Sequence, residues 1–264
     1  MNTTQILKKS AAFSLIFFIV IGLAKAQTPA GTLVQDIQYT FNQSDGTNAC
    51  AVAWNPDSRI YITVIAGNES FPLEGFNTSA ELVFSAQAKF DYRGLWYNPV
   101  TKQMEGNGAG EAGWTAFSLN ANNTPSSNMT LFVGQHQPDF QSVGTYNYDK
   151  KQVAFLNPDF TTIQLYSREK PKKIKKITLK WGDNSTFSIN PNSLGYTGAK
   201  GFEYVVLDYV SGKLIFFNTK GEVSATRAIP AGAPLNDSFA FSFANGHAFL
   251  YDKITRTWFG FKVF

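Results

Sequence analysis

The side chains that most often do chemistry in enzymes are scarce in this sequence. It contains two histidines and one cysteine, at His136, His247 and Cys50. No Gly-x-Ser-x-Gly turn, His-Glu-x-x-His segment or Cys-x-x-Cys pair is present, so the motifs of a serine hydrolase, a zinc protease and a dithiol centre are lacking. We therefore assign no catalytic residue and no metal ligand from the sequence, leave the cofactor unknown, and lean towards a protein that is not an enzyme.

Aromatic and polar residues beside Gly- and Asn-rich segments are the candidates for ligand contact. Aromatic rings with a polar edge suit ligands that are partly apolar, such as sugars. His136 shares a loop with an acidic residue, and two indoles lie beside flexible connections. These features predict a binding surface for a glycan or a protein, made of Trp114, His136, Asp139, Trp181 and Asp183.

The first 26 residues have the three parts of a secretory signal peptide. Lys8 and Lys9 precede an apolar run over residues 11–24, and Ala24-Lys25-Ala26 is a small-residue cleavage site. The run is shorter than the roughly 20 residues that cross a bilayer, and no later stretch is long and apolar enough for a transmembrane helix. We expect a protein of residues 27–264 that is secreted, periplasmic or displayed at the cell surface.

Charge and cysteine content limit the partners and the stabilising bonds. The net charge is +4, but the predicted signal peptide holds three lysines and no acid, so the remainder is nearly neutral and gives no general reason to bind nucleic acid. The one charge run, residues 168–180, ends with Ile177 and Leu179 alternating with polar residues, which predicts an outer strand with one face in water. Cys50 lies in the apolar run 49–53 and is expected to be a buried, unreactive thiol.

Short β-type segments fill the chain after residue 27, and no amphipathic helix interrupts them. Apolar or alternating runs occur at 59–65, 81–85, 130–133, 162–166 and 213–217, separated by Gly, Asn, Pro and Asp. Aromatic residues, including 24 Phe, make up 15% of the sequence and favour strands in a packed core. Residues 27–264 are therefore predicted to form one all-β domain.

A turn motif recurs along these segments. Residues 97–104 and 251–258 both read aromatic, Asn or Asp, any residue, β-branched, Thr, basic, any residue, apolar, and looser copies begin at Trp54, Tyr146 and Leu207. The Asn or Asp side chain caps a tight turn between two strands. Five hairpins at intervals of roughly 40 to 60 residues are typical of propeller blades.

The last copy of the motif resembles a known repeat. Tyr251-Asp252-Lys253-Ile254-Thr255-Arg256-Thr257-Trp258 is similar to the Tyr-Asp-x-x-Thr-x-x-Trp signature of kelch-type repeats, and residues 97–101 are similar to its first part. The resemblance implies a β-propeller.

The sequence predicts a ring of five blades closed by an N-terminal strand. The fourth blade is predicted from strands at 202–208, 213–218, 222–229 and 237–244. The last blade begins at His247 and is completed by residues 32–41. Residues 181–201 are interpreted as a long insertion. The alternatives are a sixth blade in that segment, or a β-sandwich.

Three functions are compatible with this architecture. The first is an exported propeller that binds a ligand or partner through loops on one face. The second is a hydrolase or lactonase that uses Asp, Asn and Glu around the central channel with a divalent cation. The third is an outer-membrane β-barrel, suggested by the aromatic-rich C-terminal strand that ends at Phe264.

Overall fold

The computed structural model describes residues 28–182 and 187–264. These residues form five separate four-stranded antiparallel sheets and one short 3-10 helix, Gly110–Ala112. The architecture is a five-bladed β-propeller, as predicted, and the two alternatives, a β-sandwich and a six-bladed ring, are wrong. The predicted signal peptide lies outside the described residues. Within the described residues, no helix has the length and apolar character needed to cross a membrane.

The blades follow one another along the chain, each running from the inside of the ring outwards. Blade 1 contains strands β2 to β5, at Asn48–Asn55, Ile60–Ala66, Pro72–Asn77 and Leu82–Gln87. Blade 2 contains β6 to β9, at Tyr92–Asn98, Gln103–Gly108, Trp114–Phe117 and Met129–Phe132. Blade 3 contains β10 to β13, at Thr145–Asn147, Gln152–Leu156, Thr162–Ser167 and Lys173–Thr178. Blade 4 contains β14 to β17, at Gly195–Tyr196, Tyr204–Asp208, Lys213–Phe217 and Val223–Ala228. Blade 5 contains β18 to β20, at Phe241–Ala244, His247–Asp252 and Thr257–Lys262, and its outer strand is β1, at Val34–Thr40.

The innermost strands β2, β6, β10, β14 and β18 surround a central channel. Hydrogen bonds join neighbouring blades here: the Ser242 hydroxyl of β18 accepts from Val52 N at 2.9 Å and donates to Val52 O at 3.0 Å. Between blades 2 and 3 the backbones approach so closely that a Cβ on Gly94 would lie 2.5 Å from Gly144 N. A glycine is therefore required at that crossing.

The antiparallel order of each blade gives the ring two different faces. The innermost strand ends on one face, which we call the mouth face, together with the hairpins between first and second strands and those between third and fourth strands. The hairpins between second and third strands lie on the opposite face, as do the connections from one blade to the next. Every loop position can thus be assigned to a face from its place in the chain.

The N-terminal strand closes the ring, as the sequence predicted for residues 32–41. Strand β1 pairs antiparallel with β20, from Val34 opposite Lys262 to Thr40 opposite Thr257. Tyr39 is 1% exposed, and its ring lies 5.1 Å from that of Phe76 in blade 1. The strand therefore completes blade 5 and also packs against blade 1.

One buried and one half-buried polar group hold the segment that follows β1. The Glu74 carboxylate is fully buried and accepts hydrogen bonds from Asn42 N at 2.9 Å and Gln43 N at 3.1 Å. The Arg256 guanidinium donates to Gln43 O at 2.7 Å and also contacts the carbonyl of Gly46. Because these bonds satisfy the backbone of a loop without secondary structure, the closing strand is fixed at its C-terminal end as well as along its length.

The predicted boundary of the fourth blade is wrong by one strand. Three of its four predicted strands are β15 to β17, but the fourth, 237–244, contains β18, the first strand of blade 5. The true first strand of blade 4 is Gly195–Tyr196, inside the segment interpreted as an insertion. A strand of two residues has no alternating pattern, so the sequence carries no signal for it.

The turn motif marks a type of hairpin and not a fixed place in a blade. The copies that begin at Trp54, Tyr97 and Tyr146 join first and second strands, whereas those that begin at Leu207 and Tyr251 join second and third strands. The same local bond forms in both places: Asn98 Oδ1 accepts from Val100 N at 3.0 Å, and Asp252 Oδ1 accepts from Ile254 N at 2.8 Å. The side-chain cap therefore specifies the local turn and does not specify which two strands of a blade the turn connects.

Cys50 and the lysine-rich strand lie where they were predicted. Cys50 is fully buried between blades 1 and 2, with its Sγ 3.6 Å from Tyr92 O. Burial raises the pKa of its thiol to about 12. Strand Lys173–Thr178 is the outer strand of blade 3.

Candidate functional site

A cavity of about 550 Å³ opens at the mouth face of the central channel. All five blades contribute to its wall, through the ends of the innermost strands and the hairpins that follow them. Its volume lies in the range of roughly 300–1,000 Å³ that is usual for small-molecule sites. Eight of the lining residues are aromatic: Trp54, Trp96, Tyr97, Tyr146, Tyr148, Tyr196, Phe243 and Phe264.

The aromatic side chains form a fixed inner wall and a more accessible rim. Trp96 and Tyr146 are 5% and 4% exposed, and their rings lie nearly parallel, with centroids 6.4 Å apart and an interplanar angle of 25°. Trp54 is half-buried and packs on Tyr61 at 4.5 Å. Tyr148 is 48% exposed. A ligand entering the cavity would therefore meet the exposed rings first and the buried pair last.

Two phenols of the cavity donate hydrogen bonds to carboxylates on the rim. Tyr97 Oη donates to Asp57 at 2.8 Å, and Tyr196 Oη donates to Asp149 at 2.6 Å. Burial, together with the Asp57 carboxylate, raises the pKa of Tyr97 to about 12. The pKa of Tyr196 is also raised, chiefly by burial and then by Asp149. The phenols thus stay protonated at neutral pH, and oxygens of the two carboxylates remain available as acceptors.

Behind the inner wall, a buried carboxylate orients Trp96. Glu105 of β7 is fully buried and accepts from Trp96 Nε1 at 3.1 Å and Asn98 Nδ2 at 2.8 Å. The Arg168 guanidinium of blade 3 donates to both carboxylate oxygens, with Nη2 at 2.7 Å. Charge-assisted, two-pronged pairs of this kind have a defined geometry. Blades 2 and 3 are therefore joined by an ion pair that also fixes one indole of the cavity.

The residues predicted as a binding surface do not line this cavity. Trp114 begins β8 and is fully buried, with its ring 5.9 Å from that of Trp96 and its Nε1 without a hydrogen-bond partner among the described residues. His136 packs edge-on against Trp114 at 6.3 Å, and its Nε2 bonds Val133 O at 2.9 Å. Asp139 caps its own loop by accepting from Gln141 N at 2.9 Å.

All the described members of that set are associated with the opposite face. Trp181 lies in the connection from blade 3 to blade 4, where its Nε1 donates to Phe160 O at 2.9 Å. Asp183 lies outside the described residues. The structure brings Trp114 and His136 into contact but does not gather the set around one opening. Their role in binding stays a prediction.

Three aromatic residues of the cavity could have been identified from the turn motif. Trp54, Tyr97 and Tyr146 are the first residues of three motif copies, which were interpreted only as strand ends before turns. Because innermost strands all end on the mouth face, an aromatic residue at that point of three blades indicates an aromatic ring around the channel. In the part of the chain that the structure describes, no group of three or more His, Cys, Asp or Glu side chains is placed to hold a metal ion.

No protein-family model matches the sequence, and no curated protein matches it. The kelch-type resemblance therefore stays a prediction. Among solved structures, the glutaminyl cyclase of Myxococcus xanthus is similar with a TM-score of 0.57 and 12% identity, over 88% of this chain and 96% of that one. A gluconolactonase from Xanthomonas campestris is similar with a TM-score of 0.50 and 9% identity, over 89% of this chain and 98% of that one. At these identities the similarity concerns the fold alone, and this chain is a β-propeller.

Proposed function

We propose that this protein binds a carbohydrate in the cavity at the mouth of its central channel. The observation that carries the proposal is the eight aromatic residues lining a cavity of about 550 Å³. The apolar C–H faces of a sugar ring pack on aromatic rings, while its hydroxyl groups need hydrogen-bond acceptors. Asp57 and Asp149 provide such acceptors at the rim.

The inner wall is arranged before any ligand binds. Trp96 is held by Glu105 from behind and by the parallel ring of Tyr146 at its side. Binding to a fixed wall costs less conformational entropy than binding to mobile side chains. This supports a site that selects the shape of its ligand.

An array of oligosaccharides probed with the labelled protein tests the proposal. Trp54→Ala removes a half-buried ring of the cavity, and we expect a loss of at least about thirtyfold in affinity, as for a central aromatic contact. Trp181→Ala is the matched control, since its indole lies on the opposite face. Melting temperatures of both variants show whether they fold. If no oligosaccharide binds the wild type, or if the two folded variants bind equally well, the cavity is not a carbohydrate site.

A second candidate function is the hydrolysis of a sugar lactone in the same cavity. It is supported by the rim carboxylates and by the propeller fold of the gluconolactonase described above. A carboxylate such as Asp149 can accept a proton from water that attacks the lactone carbonyl. The ring C–O bond then breaks, the leaving oxygen takes up a proton, and the product is a hydroxy acid.

Acid release from glucono-δ-lactone, corrected for spontaneous hydrolysis, distinguishes the two candidates. Ammonia release from a glutaminyl peptide provides a parallel assay suggested by the cyclase. A rate above background that Asp57→Asn or Asp149→Asn abolishes would favour the enzyme. Binding of sugars with no turnover in either assay would favour the non-enzymatic protein.

A further inference from the structure

Blade 3 carries an unbalanced positive charge that extends outwards from the cavity. Six exposed lysines of this blade form no ion pair within the described ranges 28–182 and 187–264. We call them the lysine track: Lys150, Lys170, Lys172, Lys173, Lys175 and Lys176.

The lysine track begins at the rim of the cavity. Lys150 lies in the same turn as Tyr148, which lines the cavity. The hairpin that carries Lys170 and Lys172 is bonded to this turn, because Arg168 N donates to Lys151 O at 3.0 Å. The track continues into β13, three strands outward from β10. At about 4.8 Å per strand, it extends roughly 14 Å from the innermost strand.

The nearby acids do not neutralise the track. Glu169 pairs with Lys151 at 3.8 Å, and Asp149, whose carboxylate accepts the hydroxyl of Tyr196, supplies one negative charge beside six lysines. In blade 4, the hairpin at the equivalent position carries one lysine and one acid, Lys220 and Glu222. The excess of positive charge is thus a feature of blade 3.

Protection of an exposed sheet edge does not account for six lysines. A charged side chain on an outer strand discourages pairing with another chain. However, the outer strands β5 and β9, with sequences LVFSAQ and MTLF, contain no lysine or arginine. Strand β17 contains one basic residue, Arg227, whose guanidinium donates to Ala30 O. The outer strands of these other blades therefore have no cluster of lysines.

We infer that the ligand of the cavity is an anionic carbohydrate, carboxylated or sulfated, whose acidic groups lie along the lysine track. The inference rests on the proposed function, because it assigns the charge of that ligand. An extended acidic glycan has one end that fits the aromatic cavity and a chain that can follow the lysines outward. Complementary charge adds attraction that weakens as salt screens it.

The test uses an array that pairs anionic oligosaccharides with neutral counterparts, such as oligogalacturonates with their methyl esters. The variant Lys150→Gln/Lys170→Gln/Lys172→Gln removes three charges from the track. The control Lys213→Gln/Lys253→Gln/Lys262→Gln removes three from blades 4 and 5, at side chains without an ion pair among the described residues. We expect the track variant to bind the anionic members about three- to one-hundredfold more weakly and the control variant to bind like the wild type.

The outcomes separate this inference from the proposed function. Equal binding of esters and acids, unchanged in the track variant, would overturn the inference and leave the cavity as a carbohydrate site. Binding of acids that Trp54→Ala does not weaken would support the track and contradict the cavity. No binding on the array would contradict both. Single-stranded DNA and phosphatidylglycerol vesicles are assayed in parallel, and tighter binding of either than of any glycan would overturn the choice of a carbohydrate.

Discussion

Replacing Glu105 by glutamine tests the ion pair behind the cavity. The carboxylate is fully buried, whereas the side chain of Arg168 is 13% exposed. Removing one partner of a buried pair costs about 3–5 kcal/mol, because the remaining charge is left without compensation. The slight exposure of Arg168 allows some hydration, so we expect a loss of about 2–4 kcal/mol in the free energy of unfolding. For a domain of this size that corresponds to a decrease of roughly 5–15 °C in melting temperature.

Urea unfolding monitored by tryptophan fluorescence measures this loss. Glu222→Gln is the matched control, because its carboxylate forms an exposed pair with Lys180 at 3.0 Å; this variant should unfold like the wild type. The double variant Glu105→Gln/Arg168→Gln removes both charges and should recover part of the loss. If Glu105→Gln unfolds within about 0.5 kcal/mol of the wild type, the pair does not hold blades 2 and 3 together and cannot be what fixes Trp96.

Four further predictions follow from the fold and from the sequence. Deleting residues 27–41 removes β1 and Tyr39 from blade 5 and should give insoluble protein, whereas deleting 27–29 should leave it soluble; equal melting of the two would show that β1 does not close the ring. Because burial raises the pKa of Cys50 to about 12, a thiol reagent at pH 8 should label it only after unfolding, and rapid labelling of the native protein would contradict its burial. Burial also raises the pKa of Tyr146 and Tyr204 to about 12, so the unfolded chain releases protons near pH 10 that the native protein retains. The free energy of unfolding should therefore fall between pH 10 and 12, and urea midpoints that agree at pH 9 and 11 would refute this. Mass spectrometry of protein from its native host should find an N-terminus at Gln27, and a chain that retains residues 6–24 would contradict the signal peptide.

Much of the fold could be predicted because most strands and turns have a local signal in the sequence, either an apolar run or a capping residue. Alternating runs locate most strands, and an N-terminal strand without a blade of its own needs a partner, which proved to be β20. The register of blade 4 could not be predicted, since Gly195–Tyr196 is held by its neighbours and not by its own pattern. A Cβ on Gly195 would lie 2.5 Å from Phe243 Cβ in the next blade. This close approach joins residues that are far apart in the sequence, so a local pattern does not reveal it.

A second repeat was present in the sequence but was not used. Residues 77–81 and 218–222 both begin with Asn-Thr and end with Glu, and both join a third strand to an outer strand. In each, the Asn side chain donates to the Glu carboxylate, at 2.7 Å in blade 1 and 2.9 Å in blade 4. Aligning these two turns would have placed the blade boundary correctly.

The site was harder to predict than the fold. Proximity to flexible loops favoured Trp114 and Trp181, yet both indoles pack into the body of the ring. Whether a residue lines the cavity depends on which end of an innermost strand it occupies. The direction of each strand in the ring is known only once the sheet topology is known. Once the topology is known, the first residues of three motif copies identify the aromatic ring.

Hydroxyl-radical footprinting of the wild-type protein, with and without the oligosaccharide that binds most tightly, tests the central proposal most directly. The method reports the solvent exposure of individual aromatic side chains. Trp54 and Tyr148 at the cavity should become protected when the sugar binds. Phe140, 55% exposed in a connection on the opposite face, should be oxidised at the same rate in both samples. Protection of Phe140 with no change at Trp54 and Tyr148 would place the ligand on the opposite face and contradict the account.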